Sequence, residues 1–164
     1  MALRKILLSG DSVLRKPARA VEKFDKRLHT LLDDMIQTMY DANGCGLAAP
    51  QVGILQRAVV IDLGEEDSML IELLNPEIVA EEGAEDGIEG CLSVPDLRGH
   101  VMRPVKVTVR AQDRHGKPFE MDADGMLARC ICHEADHLRG RLYIDIMTRV
   151  ATKEEMQDET EAAK

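Results

Sequence analysis

The sequence has no tryptophan and only two phenylalanines and two tyrosines. That leaves no aromatic platform on which nucleobases could stack. No apolar run approaches the ~20 residues of a membrane-spanning helix. The stretch from Met1 to Gly10 has an apolar run too short for a secretory signal core. Cations are in deficit: 21 Lys and Arg stand against 30 Asp and Glu, a net charge of -9. Gripping a phosphate backbone or an anionic bilayer needs clustered basic side chains, so no DNA and no membrane are expected as partners. Cysteine is sparse too, with four in the chain. In a cytoplasmic protein, the expected location, these are thiols or ligands before they are disulfides.

What is present suits a folded domain. Hydrophobic residues make up 45% and charged residues 31% of 164 positions, enough for one core. Repeats and linkers are absent, so a single domain is expected over 1–152. Residues 153–164 form a polar, acidic tail, either a solvated helix end or a frayed terminus. Residues 11–18 allow a short helical turn ended by Pro17. From Asp25 to Asn43, Leu28, Leu31, Leu32, Met35, Ile36, Met39 and Tyr40 follow the rhythm of an amphipathic helix, stopped by Asn43-Gly44. Ala58 to Ile61 reads as a buried strand, and Leu70 to Leu74 as another ending at Asn75-Pro76. Ile78 to Glu89 is expected to be a strand followed by a loop. Val105, Val107 and Val109 alternate with polar residues, as do Phe119, Met121 and Ala123 beyond the turn at 113–117. That hairpin points to an antiparallel sheet and an α+β fold.

The chemistry concentrates between Cys130 and Leu138. His133 and His137 stand four apart on a helical pattern that Gly140 stops, so both imidazoles face one side and can share a metal ion. Glu134 sits one position round the cylinder, beside the ion but not bound to it, as suits a base acting on water. Two buried histidines satisfied by hydrogen bonds is the plainer alternative. A third ligand must come from elsewhere. His29 and His115 are expected in solvent. Cys130 falls on the apolar side, and Cys132 points about 100° from its neighbour His133. His100, Cys45, Cys91 and the carboxylates stay open. Cys91 is the better placed of these, next to Gly90 in a turn-like segment where a thiolate can be presented. A zincin-type endopeptidase would need a downstream ligand, and residues 138–150 offer only Asp145.

Three motifs carry a family resemblance. Gly44 to Gln51 resembles the G-x-G-L-A-A-x-Q motif of bacterial peptide deformylases. Glu89-Gly90-Cys91-Leu92-Ser93 is similar to their E-G-C-L-S motif, and His133 to His137 matches their H-E-x-x-H motif. All occur in the family's order across nearly the whole chain. The resemblance implies antiparallel sheets packed around a central metal-binding helix. It implies a hydrolase that removes the N-formyl group from the formyl-methionine of newly made polypeptides, releasing formate. Cys91, His133 and His137 would bind one divalent metal ion, with Fe2+ the family's usual ion and Zn2+, Ni2+ or Co2+ fitting the same ligands. Glu134 would act as the base, while the Gln51 amide and the Leu92 N–H hold the oxyanion. Cys45, Gly46 and Gly90 would offer main-chain partners to a peptide laid alongside as an added strand.

Other positions are less settled by the resemblance. Arg98 either meets substrate carbonyls or a peptide carboxylate, or pairs with a nearby acid. Arg129 stands where relatives usually carry an apolar residue near the methionine pocket; its stem either lines that pocket or alters preference. Cys132 replaces a common Gln. Some relatives dock on the ribosome through a basic C-terminal helix. Here Glu154, Glu155, Asp158, Glu159 and Glu161 outnumber Lys153 and Lys164, which argues against that contact. A monomer is expected.

Overall fold

The computed structural model describes residues 2–162; Met1 and the last two residues of the acidic tail, Ala163 and Lys164, lie outside the described residues. The first helix, α1 (Lys26–Asp41), opens where the Asp25 carboxylate accepts the Leu28 N–H at 3.2 Å, satisfying a donor the helix cannot. It closes at Asn43, whose positive φ of 57° turns the chain so that Gly44 N–H donates back to Met39. Its stripe of Leu28, Leu31, Leu32, Met35 and Met39 is buried.

The strands are β1 (Gly46–Ala48), β2 (Ala58–Ile61), β3 (Ile71–Glu82), β4 (Glu85–Cys91), β5 (Val94–Arg103), β6 (Lys106–Gln112), β7 (Pro118–Asp124) and β8 (Arg149–Val150). Helices α2 (Gly125–His137) and α3 (Lys153–Ala162) complete the elements used below. A five-stranded sheet runs β1-β2-β3-β6-β7 and a three-stranded sheet runs β4-β5-β8, with every pairing antiparallel. Around β1, β2 and the start of β3 the larger sheet is buried on both faces, while β6 and β7 turn one face to solvent. Ala58, Val60 and Leu74 pack on α1, while Val59, Ile61 and Leu73 pack on Ala128, Ile131 and Cys132 of α2. This explains why β2 is apolar at every position instead of alternating. The fold is α+β, with α2 at its centre.

Two sequence expectations need correction. The strand expected to end at Asn75-Pro76 does not end there: β3 continues to Glu82 through a register shift between Leu74 and Glu77. Pro76 has no N–H for the ladder, and Asn75 adopts a positive φ of 51°, so one residue bulges out and pairing resumes. The Asn75 side chain repairs the gap, accepting from Val21 N–H and donating to Val21 O and Gln112. Nor is the stretch before Glu89 a loop. It is β4, the first strand of the second sheet, paired along β5.

Candidate active site

Cys91 ends β4, and a turn of Leu92 and Ser93 leads to Val94, its partner in the ladder. That turn presents the sulfur toward α2. His133 and His137, one helical turn apart, hold their rings 5.1 Å from each other at 71°. The donor atoms of Cys91, His133 and His137 all lie within 4.8 Å of one another, and Cys91 Sγ is 3.4 Å from His137 Nε2. One ion at ~2.0–2.3 Å from each donor spans that spacing after a small closure of the side chains.

The residues present fit such an ion on several counts. His133 Nδ1 lies 2.9 Å from Glu89 Oε1. A carboxylate only accepts, so Nδ1 carries the proton and Nε2 keeps its lone pair for a metal. Burial pushes the His137 imidazole well below its ordinary pKa, and the neutral form is the ligating one. Among the described residues, two buried side-chain polar atoms have no hydrogen-bond partner, Glu134 Oε2 and His137 Nδ1. A thiolate with two imidazoles favours borderline divalent ions over Mg2+ or Ca2+. Among the described residues no fourth His, Cys or carboxylate joins the group, which leaves a coordination position open, as in catalytic sites.

Glu134 is buried beside the donors. Burial is the dominant influence on its carboxyl and lifts it to about 7, close to where a base exchanges protons at neutral pH. Its carboxylate rests on Gly46: a Cβ built there would lie 2.6 Å from Glu134 Oε1. The glycine of β1 is thus the space the carboxylate occupies. Gln51 sits in the 3-10 turn after β1 (Ala49–Val52). Its Oε1 accepts the Ala48 N–H at 3.0 Å, so its amide nitrogen points inward, 3.1 Å from Ser93 Oγ and 3.6 Å from Cys91 Sγ. Leu92 packs over Gly44, where a Cβ would come within 2.7 Å of its Cδ1. β1 pairs only with β2 and forms one edge of its sheet. Gly46 therefore lies on a strand edge, with Cys45 just before it giving its carbonyl to Asp62 N–H, and Gly90 lies next to Cys91 on β4.

Arg98 and Arg129 find partners within the fold. Arg98 lies across Gly90, a Cβ there being 3.4 Å from Arg98 Nε, and donates to Glu159 of α3 at 2.8 Å. The charge of Arg129 is engaged inside the fold. Its guanidinium lies flat over Gly87 and donates to Glu89 Oε2, Val101 O and Glu85 O, each at 2.9 Å. Cys132 is buried in the core beneath α2, and burial pushes its thiol up to about 11. The remaining histidines are elsewhere. His29 is half-buried and held by Arg114 O at 2.8 Å, while His115 is exposed and meets it edge to face at 5.2 Å. His100 bridges Asp86 and Glu155. Asp145, the endopeptidase candidate, is tied to Arg15 and to Leu142 N–H.

Sequence reasoning missed Glu89 as more than part of a motif. It accepts from Arg103 through Nε and Nη2 at 2.8 and 2.9 Å, from Arg129, and from His133. Arg103 also donates to Asp136 at 2.7 Å. Burial alone would raise the Glu89 carboxyl; the Arg103 guanidinium, with His133, outweighs it and holds the group at about 2. A signal existed. Glu89 stands two residues before Cys91, a spacing that shares a face in a regular strand, although the ladder shifts register between them.

Comparison with known proteins agrees with this geometry. The polypeptide deformylase family model matches residues 3–153. A peptide deformylase of Caldicellulosiruptor bescii is 58% identical over 157 residues, covering 96% of this chain and 93% of its own. One from Alkaliphilus metalliredigens is 55% identical over 145 residues, 88% of this chain and 97% of its own. The crystal structure of a peptide deformylase from Legionella pneumophila superposes with a TM-score of 0.86 at 46% identity, covering 99% of this chain and 97% of its own. The three motifs, the convergence of Cys91 with the paired histidines and these likenesses lead to one conclusion: the chain belongs to the polypeptide deformylase family.

Proposed function

We propose that Cys91, His133 and His137 hold one divalent metal ion and that Glu134 works beside it as the base of deformylation. The reaction is that of the family, metal-dependent hydrolysis of the N-formyl group from new polypeptides. When bound, the ion supplies Lewis-acid chemistry, lowering the pKa of water and polarising the formyl carbonyl. Glu134 takes a proton from the attacking water; its Oε2, buried and unpartnered, is the free acceptor. As water oxygen bonds to the formyl carbon, charge grows on the carbonyl oxygen. The inward-facing Gln51 amide and the Leu92 N–H are the groups that meet it, each donor worth ~3–4 kcal/mol of barrier. The C–N bond then breaks, formate leaves, and Glu134 returns its proton to the amine.

The substrate enters as an extended peptide along the free edge of β1, its main chain meeting Cys45 and Gly46 on one side and Gly90 on the other. Arg98, held by Glu159, lies across Gly90 beside that path, placed to meet substrate carbonyls or a peptide carboxylate. The partner is the N-formyl-methionyl end of nascent chains. Fe2+ is the ion we assign, since thiolate and imidazole donors suit it as they suit Zn2+, Ni2+ or Co2+. We further infer a cytoplasmic monomer acting through one domain, residues 1–152, with no DNA or membrane partner. The net charge of -9 supports this, and among the described residues no helix is long and apolar enough to cross a membrane. The acidic face of α3 weighs against ribosome docking through that helix.

The observation that carries the reading is the meeting of three metal donors with an unpartnered carboxylate at a bare strand edge. Formate release from formyl-Met-Ala-Ser by anaerobically purified protein, with elemental analysis in parallel, tests it. Glu134→Ala is expected to keep its metal and lose most turnover. Unaltered turnover would remove Glu134 from the mechanism. Cys91→Ala is expected to lose the metal, and full occupancy would show that the third donor is wrong.

A further inference from the structure

Two thiols outside the donor set face each other. Cys45 Sγ lies 3.5 Å from Cys130 Sγ, and both cysteines are free. They join the two parts of the site that must stay in register. Cys45 immediately precedes β1, and its carbonyl accepts the Asp62 N–H. Cys130 lies on α2, four residues before Glu134, hence on the same helix face one turn away. Neither takes part in the chemistry described above through its sulfur.

We propose that Cys45 and Cys130 form a modification site: hydrogen peroxide closes them into a disulfide that shuts the substrate edge, and thiol reductants reopen it. The chemistry balances. The Cys45 sulfur attacks a peroxide oxygen, the O–O bond breaks and one water leaves. Cys130 sulfur then attacks the Cys45 sulfenic acid, the S–S bond forms and a second water leaves. Two thiols lose two electrons and two protons, and the peroxide takes them up. Cys45 is the exposed member and Cys130 the buried one, so the oxidant reaches Cys45 first. The contact between the two sulfurs lowers the pKa of the Cys45 thiol, while burial pushes that of Cys130 up. That assigns attack to Cys45 and resolution to Cys130.

Closure must shorten the 3.5 Å separation to ~2.05 Å. The movement draws the start of β1 toward α2, where Gly46 already leaves no room for a Cβ against Glu134. Inward motion therefore displaces the Glu134 carboxylate or the peptide edge. This consequence rests on the proposed roles of β1 and Glu134.

The test uses full-length protein loaded with Zn2+, which has no redox chemistry of its own. The protein is treated with hydrogen peroxide, alkylated and mapped by mass spectrometry, while formate release is followed. The expected result is a Cys45–Cys130 linked peptide, a fall in turnover of roughly tenfold or more, unchanged zinc, and recovery with dithiothreitol. Cys130→Ala should keep basal turnover and resist peroxide; Cys132→Ala, a buried thiol on the same helix, should respond as the parent does. Free Cys45 and Cys130 after treatment, a linked pair with full turnover, or equal loss in Cys130→Ala would each overturn the proposal. Absence of formate release from untreated protein would instead strike the functional reading, since the thiol map does not depend on it.

Discussion

Gly46 shows how much of the site depends on an atom that is not there. A methyl group at this position would overlap the Glu134 carboxylate and push it out of place. Gly46→Ala should therefore keep its metal and lose turnover by roughly 10²-fold, the usual effect of an ångström of misplacement. Parallel kcat and zinc measurements check this. Glu89 works at the same scale on the other side of His133. Replacing it with Gln leaves Arg103 and Arg129 with a neutral partner in a buried cluster, a loss of about 3–5 kcal/mol, and loosens His133, weakening metal binding roughly 10–100-fold. Urea denaturation and metal competition read the two effects separately. Glu89 also sets a pH dependence. Its carboxyl sits at about 2 in the fold, against an ordinary value of 4.5. A depressed acid stabilises above its unfolded pKa, so the contribution is complete above pH ~4.5 and disappears as pH falls toward 2, about 3 kcal/mol in all. The acid limb should flatten in Glu89→Gln.

Helices and strands differ in how openly the sequence declared them. α1 and α2 were legible because a 3.6-residue period needs only one buried face, and Leu28 to Met39 kept it. The hairpin of β6 and β7 was legible for the same reason at a period of two. β3 was not, because Pro76 ordinarily ends a strand and the repair by Asn75 lies in long-range bonds to Val21 and Gln112. Asn75→Ala should destabilise by about 2 kcal/mol, since it strands these backbone groups and places alanine at a positive φ; the midpoint of urea unfolding reports it. β4 and β5 were hidden by charge: Arg103, Arg129 and Glu89 are buried as partners, so neither strand alternates cleanly. Of the tail, Lys153–Ala162 is helical. Thr152 and Glu155 bond reciprocally at its start, and Glu155 also holds His100 and Arg149 of β5 and β8. The Asp86 and Glu155 carboxylates raise the His100 pKa. A raised histidine stabilises below its unfolded pKa and loses that contribution as pH rises through the higher folded one. α3 should therefore exchange its amide hydrogens faster above that pH, relative to intrinsic rates, than below it, and His100→Ala should remove the difference.

At the scale of the molecule, the donors come from different layers. Cys91 belongs to the small sheet and the histidines to α2, so an ion bound there ties one layer to the other. At a thousandfold excess over its dissociation constant it adds about 4 kcal/mol, on the order of 10 °C in melting temperature for a chain of this size. Chelation should reverse that shift in a calorimetric scan, and Cys91→Ala should lack it. The paired histidines were legible from spacing alone. The partner sulfur, 42 residues upstream of His133, needed either the family's motif or the fold, because no local period links a strand end to a distant helix. The most direct test is X-ray absorption at the zinc edge on zinc-loaded protein, before and after Cys91→Ala. One sulfur near 2.3 Å with nitrogen or oxygen neighbours near 2.0–2.1 Å, and no sulfur in the variant, is the predicted result. Two sulfurs in the parent, or a sulfur that survives the substitution, would contradict the account.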